Sequence, residues 1–146
     1  QKGKIIMSQF VRVNISALKN VNASIFNLAI NNMQVHGHGK LSLDTTRKIV
    51  NAPYAIGERK SDEVDCVLVE SGIPTTIGFK FGVGADKELQ IRGDFWRTGF
   101  RQEEFTNLIA QNYAATKIHV NAVNDSQQLI KRTVKSDGSI VLRYAM

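Results

Sequence analysis

In 75–82 and 89–95 the apolar residues recur at every second position, and from Glu103 onward they recur three and four apart. A period of two belongs to a strand with one buried face and a period near 3.6 to a helix, so this switch constrains the fold most. "VDCVLVE" (64–70) is β-branched and reads as a buried strand, and "SGIP" makes a turn. "TTIGFKFG" (75–82) puts Ile77, Phe79 and Phe81 on one face. "VGADKE" is a hairpin connection into "LQIRGDF" (89–95), which alternates Leu89 and Ile91 and ends in Phe95. Three consecutive antiparallel strands are expected here. Phe105, Leu108, Ile109 and Tyr113 then mark a helix running to about 120–123, with Glu103 and Glu104 suiting the positive end of its dipole.

The flanking segments are simpler in outline. "SQFVRVNI" (8–15) is expected as a first strand. From Ser16 the spacing of Leu18, Val21, Ile25 and Leu28 predicts a helix, capped by Asn20 or Asn22 and ending near Asn31-Asn32. "MQVHGHGKLSL" (33–43) reads as extended, and the polar stretch 44–63, with Pro53 and Gly57, as a long loop. "SQQLIKRTV" and "SIVLRYA" close the chain as a hairpin, because Asp137-Gly138 is a strong two-residue turn signal.

The predicted order is β-α-β, a loop, β-β-β, then α-β-β. This is an α+β fold of ferredoxin-like type, an antiparallel sheet with two helices on one face. At 146 residues the chain is expected to hold a single α+β domain over 7–146, with 1–6 as an extension outside the fold. A chain of this size buries a core without help from disulfides or metals. Its one cysteine, Cys66, has no partner within the chain, which fits a reducing compartment: the cytoplasm, or the stroma for a plastid homologue. No apolar run approaches the length of a membrane span. The net charge of +6 is spread along the chain between acids, so it does not by itself mark a nucleic-acid-binding face.

The strings "TTIGF", "KELQIRGDFW", "GFRQEEFTNLIAQNYAATKI" and "KSDGSIVLRY" together resemble a family first described as hypothetical chloroplast reading frame thirty-five. Its bacterial and phage relatives form a domain of unknown function. The resemblance covers 75–144 well and 7–35 loosely, while 36–74 departs from it. It implies a small soluble protein with an accessory or adaptor role, and it implies no chemistry. Asn112, in "QNYA", stands where the family pattern has arginine, so no role of that arginine carries over.

Candidate sites are few. His36 and His38 would point the same way on a strand, but a zinc site needs a third protein ligand that the spacing does not supply. Cys66 alternates with Val64 and Leu68 and reads as a buried strand cysteine rather than a nucleophile. The glycines of "GFKFGVGADK" fit neither phosphate-loop spacing and belong to a hairpin. The adjacent pairs Asp62/Glu63 and Glu103/Glu104 diverge and make no acid/base pair. No nucleophile, base and orienting group can be assembled, and no catalytic residue, metal or cofactor is assigned. In "GDFWRTGFRQEEF" (93–105), Phe95, Phe100 and Phe105 are expected in the core. That leaves Trp96 with Arg92, Arg97 and Arg101 as an arginine–tryptophan cluster, a candidate ligand-binding set together with His36 and His38.

The expectation is a non-catalytic binding or adaptor protein acting through protein contacts or self-association. Two other readings stay open: a nucleic-acid-binding protein, and a small-ligand-binding or sequestering protein or an enzyme with an unidentified site.

Overall fold

The structure is a computed structural model of the chain, and residues 8–125 and 128–145 are described. The expected extension at 1–6 lies outside the described residues. Five strands form the main sheet: β1 (Val11–Lys19), β2 (Leu41–Asp44), β5 (Cys66–Glu70), β6 (Ile73–Val83) and β7 (Glu88–Gly93). Two shorter strands, β3 (Ile49–Asn51) and β4 (Ser61–Glu63), pair with each other, as do β8 (Gln128–Val134) and β9 (Ile140–Ala145). The helices are α1 (Ala23–Asn32) and α2 (Gln102–Asn124).

The sheet order is β1-β7-β6-β5-β2, and every neighbouring pair is antiparallel. The predicted meander β5-β6-β7 therefore occupies the middle. Four antiparallel steps leave β1 and β2 parallel at opposite edges, joined through α1.

Alternation decides what each face of the sheet meets. Ile15, Leu68, Cys66, Ile77, Phe79, Leu89 and Ile91 point into one core with Phe26, Ala29 and Ile30 of α1 and Phe105, Ile109 and Tyr113 of α2. Phe26 sits edge-on to both Phe79 and Phe81, with centroids 5.0 and 5.6 Å away, so "FKF" faces the helices and not an open sheet surface. The expected α+β layering, an antiparallel sheet with two helices, is present.

The opposite face meets β3 and β4. Val67 points away from Cys66 and Leu68 and joins Val50 and Val64 in a small second cluster, with Phe10 against it. Gly78 is needed here, because a Cβ at that position would lie 2.7 Å from Val64 Cγ1 and 3.0 Å from the Cys66 carbonyl oxygen. Polar side chains complete this face. Asp62 of β4 accepts hydrogen bonds from Arg12 Nε (2.8 Å) and Nη2 (3.0 Å), and Arg59 and Arg92 lie 3.3 and 3.6 Å from its carboxylate.

Two expectations are corrected. The stretch 44–63 is not an unstructured loop: it forms the β3–β4 hairpin, seated by the fully buried Val50, Ala52 and Ala55. The first helix does not begin near Ser16, because β1 continues to Lys19 through a bulge and buries Leu18 at the strand end. Asn20, in the left-handed region (φ 52°), turns the chain, and Asn22 caps α1 by accepting from the Ile25 N–H at 3.0 Å. That cap sets the helix phase so that Phe26, Ala29 and Ile30 face inward and Leu28 is 40% exposed.

Candidate recognition cleft

The stretch between β7 and α2 is built by one glycine and one buried carboxylate. Gly93 has φ 146°, and a Cβ there would lie 2.0 Å from the Thr76 carbonyl oxygen, so β7 must end in glycine to stay paired with β6. Asp94 follows and is only 4% exposed. Its backbone N–H donates to Thr76 O at 2.9 Å, and the Thr76 hydroxyl donates to Asp94 O at 2.5 Å. Its carboxylate accepts from the Trp96 N–H (3.0 Å), the Gln9 N–H (3.3 Å) and the Ser8 hydroxyl. One side chain thus ties the chain just before β1 to the turn that carries Trp96.

The turn is tightened further along. Arg97 is in the left-handed region (φ 62°), an uncommon state for a side chain of this kind. The Thr98 hydroxyl donates to Phe95 O at 2.7 Å and accepts from the Phe100 N–H at 3.1 Å. Phe100 and Phe105 then enter the core, with Phe95 packed against it, as expected for these aromatics. Trp96 is left half-buried at the surface, and the Arg97 guanidinium carbon lies 4.2 Å from its ring centroid.

Trp96 and Arg97 form one wall of a cleft of about 310 Å³, which Pro53, Tyr54, Pro74 and Glu70 also line. Tyr54 is 75% exposed. On the other side of Trp96 a second hollow of about 390 Å³ reaches Gln9, Phe95 and Arg101. The indole therefore stands between two concave surfaces.

The six predicted site residues are only partly brought together. Trp96 and Arg97 share the cleft, and Arg101 lines the adjoining hollow from the exposed position before α2. Arg92 belongs elsewhere. Strand alternation sends it to the β3–β4 face, where Nε donates to Gln90 Oε1 (2.7 Å) and Nη1 donates to Glu63 O (2.7 Å). Its side chain is 11% exposed and acts as a strut under the hairpin.

His36 and His38 do not lie on a strand. A turn at 36–37, with Gly37 at φ 79°, places His36 in solvent and His38 against the back of the 93–101 turn. The His38 ring stacks on Phe100 at 3.8 Å, and its Nδ1 lies 3.1 Å from Glu70 Oε2, which also accepts the Gly39 N–H. A Cβ on Gly99 would lie 3.0 Å from His38 Cε1, so this stack depends on glycine at 99. Both histidines and Arg101 border a small depression of about 70 Å³. Among the described residues no three His, Cys, Asp or Glu side chains converge as a metal site would require.

Cys66 lies in the core beneath the helices, and burial, aided by the neighbouring Asp65 carboxylate, pushes its thiol up to about 12. It is held as a neutral thiol at physiological pH.

Asp94, Tyr54 and Glu70 were missed from the sequence. Asp94 carried one usable signal: an aspartate two residues before the N–H it accepts, after a glycine, is an Asx-turn pattern. Tyr54 comes from the hairpin and joins Trp96 in lining the cleft only through the tertiary fold.

Comparison with known protein families, curated proteins and solved structures gave no match in any of the three.

Proposed function

We propose that this chain is a non-catalytic binding module, an adaptor that holds a segment of a protein partner, or of a second copy of itself, in the Tyr54–Trp96 cleft. The observation that carries this reading is the cleft's construction: an exposed tyrosine and a half-buried tryptophan stacked by Arg97, set in place by the buried Asp94. Tyrosine, tryptophan and arginine are the side chains that dominate protein-binding energies. A surface fixed before binding loses less entropy when a partner arrives. The strained Arg97 backbone, held by its neighbours, is the kind of local cost that functional sites retain.

The surroundings support a protein rather than a small molecule. Ile73, next to the lining Pro74, is 70% exposed, and Ile56, two residues after Tyr54, is 52% exposed. Exposed apolar side chains thus flank the segments that build the cleft, which suits a protein partner. The adaptor role implied by the family resemblance agrees with this reading, as does a reducing location such as the cytoplasm. The ferredoxin-like description is kept as part of the proposal for its layering, two helices on one antiparallel sheet. The strand order with the meander in the middle is this chain's own.

The test is native mass spectrometry of protein purified from its own host, alongside Trp96→Ala and Tyr54→Ala. The expected result is a retained partner chain or second copy with the wild type, at least tenfold depleted in both variants. Equal retention in the variants, a purely monomeric wild type, or a bound small molecule in place of a chain would sink the proposal.

A further inference from the structure

The C-terminal hairpin stands apart from the main sheet. Among the described residues strands β8 and β9 pair only with each other, and the hairpin packs on α2. Alternation along β9 places Ile140, Leu142 and Tyr144, all half-buried, on one face and leaves Val141 and Arg143 exposed on the other. The pairing register puts Lys131 directly across from Arg143 and Thr133 across from Val141. The outward face of the ribbon therefore opens with two exposed cations side by side. Like charges directly opposite each other destabilise an antiparallel pair. Among the described residues neither Lys131 nor Arg143 forms an ion pair.

The charge along the ribbon's own sequence is also one-sided. Residues 128–145 hold Lys131, Arg132, Lys135 and Arg143 against a single acid, Asp137, so four minus one leaves +3 of the chain's +6. Asp137, itself exposed, is engaged by its own loop, accepting from the Ser139 N–H (2.9 Å) and hydroxyl (2.6 Å). Arg132, also exposed, reaches back to α2, its Nη2 donating to Asn112 Oδ1 at 3.3 Å, and so anchors the ribbon. Anchoring by Arg132 leaves Lys131 and Arg143 as the outward pair.

From this geometry we infer that the β8–β9 ribbon is a docking surface for duplex DNA, with Lys131 and Arg143 contacting phosphates. A two-stranded ribbon fits the roughly 12 Å major groove. At about 3.4 Å per residue its seven-residue strand β8 runs roughly 24 Å, long enough to follow several phosphates. Phosphates would neutralise the repulsion between the two facing cations, which no group of the ribbon itself does. The site is separate from the Trp96 cleft and does not depend on its proposed role.

The experiment is fluorescence anisotropy with a labelled 20-base-pair duplex between 50 and 200 mM salt. It uses the full chain, the double variant Lys131→Gln/Arg143→Gln and the charge-conserving Lys131→Arg/Arg143→Lys. Wild-type affinity should fall steeply with salt. The glutamine variant should bind about tenfold more weakly at low salt, with a log–log slope shallower by about 2, because two phosphates are no longer neutralised. The charge-conserving variant should bind like wild type. Thermal melting serves as the folding control, and the glutamine variant should melt no lower than wild type, because the change relieves repulsion. Absent duplex binding, or binding that the glutamine variant leaves unchanged, overturns the proposal. Tighter binding to a polyglutamate peptide than to the duplex overturns it as well, in favour of an acidic protein surface.

Discussion

The two faces of the central sheet are held by different physics. On the helix face seventeen buried residues form one apolar cluster, and rings meet edge-on with no polar partner required. On the hairpin face three valines form the buried cluster among the described residues, and much of the remaining contact is polar, centred on a carboxylate among three arginines. The apolar face depends on shape and volume and so on close packing. The polar face depends on the charge state of one side chain, and so on pH. Its small core leaves room at the margin, where Pro53, Tyr54 and Pro74 meet Trp96 to form the cleft.

Removing volume from the helix face should give the largest effect. Phe26 is fully buried between Phe79, Phe81 and Tyr113. Phe26→Ala should lower stability by about 3–5 kcal/mol, the usual cost of emptying an aromatic site. Urea denaturation followed by circular dichroism measures this, and the loss should be the same at pH 4 and pH 7. A loss under about 1 kcal/mol would mean that the helices do not depend on this packing.

Asp62→Asn tests the other face and should cost less, about 2 kcal/mol near neutral pH, by leaving the sparsely exposed Arg92 without its charge partner. Burial opposes ionisation of Asp62. The hydrogen bonds from Arg12 and the Glu63 N–H, with the Arg92 and Arg12 charges, outweigh it and hold the carboxyl below its usual range. A carboxyl depressed in the folded state contributes stability that is fully present above its unfolded value of about 3.9. That contribution is lost as pH falls through the lower folded value. The gap between wild type and Asp62→Asn should therefore be constant from pH 5 to 8 and close below about pH 4. A gap that persists at pH 2.5 would assign the effect to shape and erase the contrast between the faces.

The same contrast explains what was legible in the sequence. The meander, α2 and the closing hairpin were readable because their apolar periods are local: Ile77, Phe79 and Phe81 need no distant partner to be assigned a face. The β3–β4 hairpin was not, since each strand has three residues and, of the adjacent apolar pair Ile49 and Val50, only Val50 is buried. Leu18 kept an apolar spacing that suits either period, and only the Asn22 cap decides where α1 starts. At the candidate cleft, Trp96 and Arg97 were visible as neighbours in sequence. The Asx turn at Asp94 is a local pattern, but its hydroxyl partner is Ser8, 86 residues away. Arg92, beyond its bond to Gln90, takes its partners from 62 and 63, which no local pattern assigns. Charged and polar residues found their roles through tertiary pairing, and apolar ones through periodicity.

Cys66 allows a smaller and finer test, because it sits at the boundary. Its side chain belongs to the helix-face cluster, while Asp65 beside it accepts the Phe81 N–H at 2.7 Å and pairs with Lys80 at 3.4 Å. With its thiol raised to about 12, Cys66 should resist alkylation at pH 8 in the folded protein and react only when the structure opens. The labelling rate in each variant should then rise in step with its loss of stability, about tenfold for each 1.4 kcal/mol. Phe26→Ala should label hundreds to thousands of times faster than wild type, and Asp62→Asn only about thirtyfold faster. Labelling of Asp62→Asn beyond that proportion would show that the hairpin, opening by itself, is what shields the thiol. Agreement with it would place the shield under the helices and make the hairpin face a separate, weaker layer laid over a core that α1 and α2 close alone.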